Sequence, residues 1–344
     1  MKKVLLPPCG DGFRYYRANL HCHSTISDGR KTPQQLKDDY KAHGYQVLCL
    51  TDHEVYITHN DMTDSDFLML NGVELDVSDK QSEKTCHLCY VALDKNRDKT
   101  VCWHRSKYLW GNAATYGDKV KFDESKPDFE RIYTAEGVNA MIKEGVDNGF
   151  FVTYNHPTWS LESYPEYSTY HGMHAMEIIN FGCVIEGYDD DNGHCYDDML
   201  RGGERIFCIA TDDNHNRGSD EDPKCSSYGG FTCIGAPALT YEAVAEALKN
   251  GCFYSSTGDY KDVGPSILSL YYEDGKVVID TSDAKSIALI TSERYCRLTH
   301  APQGESVNHA EFEIPERIKW FRLTVTDNKG YKAYTNAYFC DELK

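Results

Sequence analysis

No apolar run in the 344-residue sequence is long enough to cross a membrane, so a spanning helix is not expected. The amino-terminal stretch carries two lysines but only the short run Val4-Leu5-Leu6 before two prolines, too little for the apolar centre of a secretory leader. Basic residues are scarce as well: 36 Lys and Arg stand against 54 Asp and Glu, a net charge of −18. That balance repels a polynucleotide backbone and disfavours long nucleic acid as a partner. Cysteine is not scarce. The fourteen cysteines are scattered through apolar segments such as Val47-Leu48-Cys49-Leu50 and Ile206-Phe207-Cys208-Ile209, which suits reduced core thiols in a cytoplasmic protein better than a disulfide framework.

A hydrophobic fraction of 40% with 12% aromatic residues is that of a packed globular chain, long enough for one large barrel or two ordinary domains. The first half alternates short apolar strands with helical stretches, the pattern of a parallel α/β sheet or barrel. Strands are expected at 17–23, 46–51, 150–155 and 205–211. Thr32 followed by Pro33 predicts a helix start, with Gly44 as its stop. Thr134 with Gly149, and Thr240 with Gly251, repeat the device, and a further helix is expected over Cys195–Gly202. Residues 94–131 show no period and read as an insertion over the mouth of a site. Residues 262–344 alternate apolar and polar in short segments, including Ile267–Tyr272, Lys276–Asp280, Ile287–Thr291 and Trp320–Thr326, as expected of a small antiparallel β domain.

Ligand-type residues gather where these strands end. The first ends in His21 and His23, and Asp52 and His53 follow the second, His156 the third, and Asp212, Asp213 and His215 the fourth. Side chains two apart on a strand share a face, so His21 and His23 can grip one ion. Asp28 sits in Ser27-Asp28-Gly29, also an ordinary turn signature. Glu74 lies between apolar neighbours, where an unpaired carboxylate is costly, and is a candidate bridge between cations. Asp52 can orient a histidine from behind or cap the next segment. The spacing of Asp213 and His215 selects Asp213 as ligand, leaving Asp212 to support it or to cap a helix. Imidazole and carboxylate together suit zinc, manganese or iron, and there are more of them than one tetrahedral ion needs.

In order, His21-x-His23, Ser27-Asp28-Gly29, Thr51-Asp52-His53, the isolated Glu74, His87, His156-Pro157 and Asp213-x-His215 resemble the PHP (polymerase and histidinol phosphatase) superfamily over about residues 16–260. The resemblance implies a distorted seven-stranded (β/α) barrel over residues 1–260, followed by a β domain over 261–344. It also implies two or three divalent ions. His21, His23, Glu74 and Asp213 would hold the first; Glu74, His87 and His156 the second; Asp28, His53 and His215 the third. The tail around Phe321–Asp327 and Ala333–Asn336 is similar to a branch that includes carbamate and aryl-ester hydrolases.

A water ionised between two such ions can attack phosphorus, so a phosphoesterase acting on a small phosphorylated metabolite or nucleotide is expected. Arg217 is placed by sequence to clamp phosphate oxygens, and His171 and His174 to protonate a leaving group. A small anion can be drawn in despite the acidic surface, because the ions concentrate positive charge. Two alternatives stand beside it: a carboxylic or carbamate ester hydrolase, and a non-catalytic metal-binding scaffold. In Cys86-x-x-Cys89 the two thiols fall on opposite faces of a strand, which does not suit a zinc or redox pair.

Overall fold

The computed structural model describes residues 2–10 and 12–343. Strands β1 (Lys3–Leu6), β2 (Arg14–Asn19), β3 (Val47–Leu50), β4 (Leu68–Ser78), β5 (Thr85–Ala92), β6 (Phe150–Tyr154), β7 (Ala175–Asn180) and β8 (Phe207–Thr211) fill the first part of the chain. Two more, β9 (Gly230–Ala236) and β10 (Phe253–Thr257), lead into β11 (Ile267–Glu273), β12 (Lys276–Ala284), β13 (Ser286–Thr291), β14 (Arg297–His300), β15 (Val307–Glu313), β16 (Trp320–Thr326), β17 (Lys332–Thr335) and β18 (Tyr338–Phe339). The helices are α1 (Pro33–Ala42), α2 (Ala135–Asp147), α3 (Tyr164–Tyr167), α4 (Phe181–Glu186), α5 (Gly193–Gly202) and α6 (Tyr241–Lys249). None is long and apolar enough to cross a membrane.

Local chemistry accounts for the helix ends. Thr32 accepts from the Gln35 amide while Gln35 accepts from the Thr32 amide, a capping box closed by Pro33 in the first turn. Thr134 and Thr240 cap α2 and α6 through the amides of Gly137 and Ala243. Past α1, Gly44 takes a φ of 77°, which side chains resist, and the chain turns into β3. Each helix buries one stripe: Val138, Met141 and Ile142 from α2, and Val244, Ala245 and Leu248 from α6.

Strands β2, β3 and β4 run parallel, β5 is antiparallel to both neighbours, and β6, β7 and β8 are parallel again. The α/β pattern is therefore mixed rather than wholly parallel. The expected closed ring is not drawn by backbone ladders: the sheet path runs openly from β14 to β8. Just beyond their strand ends, however, β8 and β2 meet in one parallel bridge, Cys22 with Asn214. The Asp213 amide donates to His21 O at 3.0 Å and the His23 amide to Asn214 O at 3.2 Å.

The tail is joined to the same sheet, since β17 pairs with β10 and β10 with β9. A second sheet, β1-β11-β12-β15, packs on it through Leu6, Leu270, Ile279 and Phe312 against Leu289, Phe321 and Leu323. Strand β1 thus lies with the carboxy-terminal strands, Lys3 opposite Tyr272. All fourteen cysteines are free thiols, most of them buried.

Candidate metal centre

The site lies at one end of strands β2–β8. His21 and His23 follow β2, which ends sooner than the expected 23; His53 follows β3, His156 follows β6, and Asp213 and His215 follow β8. Glu74 lies within β4 and is bridged to His53. Because β5 runs in reverse, His87 near its start reaches the same end.

Five contacts draw four atoms together. His21 Nε2 is 3.1 Å from His23 Nε2, 3.2 Å from Glu74 Oε2 and 3.2 Å from Asp213 Oδ1. His23 Nε2 is 3.2 Å from Glu74 Oε2 and 3.0 Å from Asp213 Oδ1. A tetrahedron around an ion with bonds of about 2.0–2.1 Å has edges of roughly 3.3 Å, so these four atoms suit a zinc-sized cation. Around them, Glu74 Oε1 lies 2.9 Å from His87 Nδ1 and 3.3 Å from His156 Nε2. Glu74 Oε2 lies 3.3 Å from His53 Nδ1, and Asp28 Oδ2 lies 3.1 Å from His215 Nε2. The donors form three overlapping groups: His21, His23, Glu74 and Asp213; His53, Glu74 and His87; and His23, Asp28, His53 and His215.

The groups fit cations on a second count. Glu74 Oε2, Asp213 Oδ1 and His53 Nδ1 are buried without a hydrogen-bond partner among the described residues, an expensive arrangement unless a positive ion completes it. Burial opposes ionisation of Glu74, but His21, His53 and His87 outweigh it and hold the carboxyl well below its ordinary range. Burial likewise opposes protonation of His23, yet Asp213 and Glu74 raise its pKa to about 10. Without an ion, protons on imidazole supply the positive charge that the carboxylates demand.

The supporting shell is built from buried polar groups. Glu177 Oε1 sits 2.7 Å from His21 Nδ1, which turns Nε2 toward the centre, and its Oε2 accepts from the His156 amide at 3.0 Å. His156 and Asp213 have φ values of 28° and 46°, backbone that costs a side-chain-bearing residue roughly 1 kcal/mol. Those amide bonds hold them there. Gly29 is required by close approach: a Cβ would fall 2.2 Å from His23 O. Asp212 accepts from the amides of Tyr228, Gly229 and Gly230 and from the Tyr40 hydroxyl, and so braces a loop rather than facing the centre.

Three expected catalytic residues are placed elsewhere. Asp52 spends its oxygens on the amides and hydroxyls of Ser24 and Ser27, at 2.7–3.1 Å, and so clamps the turn carrying Asp28. His171 and His174 precede β7 and so stand at the opposite end of the strands. His171 is exposed and pairs with Glu204 at 2.6 Å, while His174 stacks on Phe151 and accepts from the Val152 amide. Arg217 does line the cleft, 3.7 Å from Glu186. That cleft, about 370 Å³, is also walled by Trp110, Trp159, Asp76 and Glu186, which the sequence reading passed over. Trp159, three positions after His156, was within reach of the motif; Trp110, in the aperiodic 94–131 stretch, carried no signal.

No protein-family model and no curated protein matches the chain. Among solved structures it is similar to a two-domain protein of Bacteroides vulgatus containing a predicted PHP-like metal-dependent phosphoesterase, with 15% identity, TM-score 0.45, and 97% of this chain and 98% of that one covered. It is also similar to a proposed metal-dependent phosphoesterase of Bifidobacterium adolescentis, with 14% identity, TM-score 0.33, and 59% and 88% covered. A third likeness is to an amidohydrolase of Chromobacterium violaceum with bound sulfate and no metal, with 16% identity, TM-score 0.36, and 58% and 87% covered.

Proposed function

We propose that the protein is a metal-dependent hydrolase that cleaves the phosphate ester of a small molecule, on a distorted seven-stranded barrel of β2–β8. The observation that carries this is the meeting of His21, His23, Glu74 and Asp213 at 3.0–3.2 Å, with two buried carboxylate oxygens that face imidazole nitrogens yet accept no hydrogen bond among the described residues. His21, His23, Glu74 and Asp213 would hold one ion, with His53, His87 and His156 around Glu74 for a second. Asp28 and His215, together with His53, would complete a third. Divalent ions bound there supply what the side chains lack, ionised water at neutral pH and neutralisation of phosphate oxygens.

The chain's own part is positioning. Glu177 fixes His21, and the Asp52 clamp fixes the turn bearing Asp28. Arg217 at the rim is placed to hold a phosphate oxygen, exchanging Glu186 for it. With His171 and His174 distant, Asp76 and Glu186 are, among the described cleft residues, the carboxyls outside the ligand groups that are left for a role toward the departing oxygen.

The test is to measure metal bound to the purified protein and its turnover of p-nitrophenyl phosphate with manganese or zinc. Turnover should vanish in His23→Ala and after chelation, and return when metal is restored. No activity on any of a panel of phosphate esters would sink the phosphoesterase reading. A second reading, hydrolysis of a carboxylic or carbamate ester, is favoured by the cleft lining, in which Arg217 is the one Lys or Arg among the described residues. Aryl acetates and carbamates assayed beside aryl phosphates separate the two.

A further inference from the structure

The cleft has two indole walls. Trp110 is delivered by the segment between β5 and α2, directly ahead of a short 3-10 helix over Gly111–Lys119, and its ring centre lies 5.2 Å from that of His53. Trp159 comes from the turn after β6 and presents an edge contact to His87 at 5.3 Å and to His156 at 5.1 Å. The two rings thus rest against three different imidazoles of the centre. Trp110 is 45% exposed at the cleft mouth, a large aromatic surface left in water where a ligand would cover it. Trp159 is held in place: its amide and that of Thr158 donate to the buried Asp190 carboxylate at 3.0 and 3.1 Å. Neither indole N–H has a hydrogen-bond partner among the described residues, so both can donate to a ligand oxygen.

Charge narrows the ligand further. Once Asp28, Glu74 and Asp213 hold ions, Asp76 and Glu186 remain as carboxylates of the cleft, and Arg217 is the one Lys or Arg among its described lining residues. Bound ions and that arginine suffice for one phosphate, but a second anionic group on the substrate would face carboxylates without a cation to meet it.

We propose that Trp110 and Trp159 form a ring-binding subsite, and that the substrate is a single phosphate monoester of a flat, uncharged ring alcohol. The reaction half of this rests on the hydrolase reading; the binding half does not. In hydrolysis the oxygen of water bonds to phosphorus and the bond from phosphorus to the ring-bearing oxygen breaks. That oxygen takes up a proton, giving inorganic phosphate and the ring alcohol.

The experiment compares two non-hydrolysable probes on manganese-loaded protein by calorimetry, 1-naphthylmethylphosphonate and methylphosphonate, alongside kcat/KM for 1-naphthyl phosphate and glycerol 2-phosphate. The naphthyl probe should bind on the order of tenfold tighter, and Trp110→Ala and Trp159→Ala should each remove about that advantage, with Phe at either position restoring most of it. Equal binding of the two probes, or naphthyl affinity untouched in both alanine variants, overturns the subsite. Trp110 is exposed enough that its variant decides the matter even if Trp159→Ala misfolds. Ring-independent turnover of both esters would remove the subsite and keep the hydrolase; tryptophan-dependent naphthyl binding without turnover would do the reverse.

Discussion

Glu177 Oε1 lies 2.7 Å from His21 Nδ1, both side chains fully enclosed, and Thr211 Oγ1 and Asn180 Nδ2 donate to the same carboxylate. The carboxylate therefore fixes the tautomer of His21 and the direction of its other nitrogen, and does so from a strand, β7, that offers no ligand of its own.

Glu177→Gln should keep the shape of this contact and lose its charge. Zinc affinity, measured by competition with a chelating dye, is expected to fall by about 10- to 100-fold while the circular dichroism spectrum stays that of the wild type. An unchanged affinity would show that His21 is oriented by packing alone.

Arg131 and Glu54 form a two-pronged ion pair, Nη1 to Oε1 at 2.6 Å and Nη2 to Oε2 at 2.7 Å, with both side chains at or below 1% exposure. The pair ties the end of the segment carrying Trp110 to the residue after His53. Arg131→Met should lower unfolding free energy by about 3–5 kcal/mol, because it strands a carboxylate in the interior. Glu54→Leu combined with Arg131→Met should recover much of that loss. Urea unfolding of chelated protein measures both; additive single effects would rule out the coupling.

Glu162 accepts from the hydroxyls of Tyr133, Tyr154 and Tyr170. Burial raises its pKa above the usual 4.5, and the three hydroxyl donors do not cancel that shift. The folded state then holds a proton that the unfolded chain has already released, so stability falls as pH climbs from the ordinary glutamate value to the raised one and is level above it. In Glu162→Gln this slope should be absent, so that its stability relative to wild type improves with pH across that window. Parallel pH profiles of unfolding free energy for the two proteins would refute the shift.

The clustering of the centre's imidazoles and carboxylates was legible because most of them follow a strand end, and the helix caps at Thr32, Thr134 and Thr240 mark where each intervening helix begins. The antiparallel turn of β5 was not, since an apolar strand reads the same in either direction; only the pairing of Asp76 with His87 reveals it. His171 and His174 were misplaced for want of polarity, as chemistry at the carboxyl ends of strands excludes residues that precede one. Asp52 was drawn toward His53 by adjacency, whereas its partners Ser24 and Ser27 lie on another strand's loop. Long-range pairs such as Arg131 with Glu54, or Asp190 with the turn of Trp159, leave no mark on the local pattern.

Lys3 sits across from Tyr272 in the ladder of β1 with β11, which ties the order of residues 3–6 to residues made much later. During synthesis β1 therefore emerges with its row of amides and carbonyls unmatched, and stays so until β11 has been made. Nascent chains stalled near residue 260 should be cut readily by protease at residues 3–6, and chains in which β11–β15 have emerged should resist; equal resistance would mean that something else shelters that strand. Translation speed through the β11–β15 stretch thus becomes a determinant of how much correctly assembled protein a cell obtains.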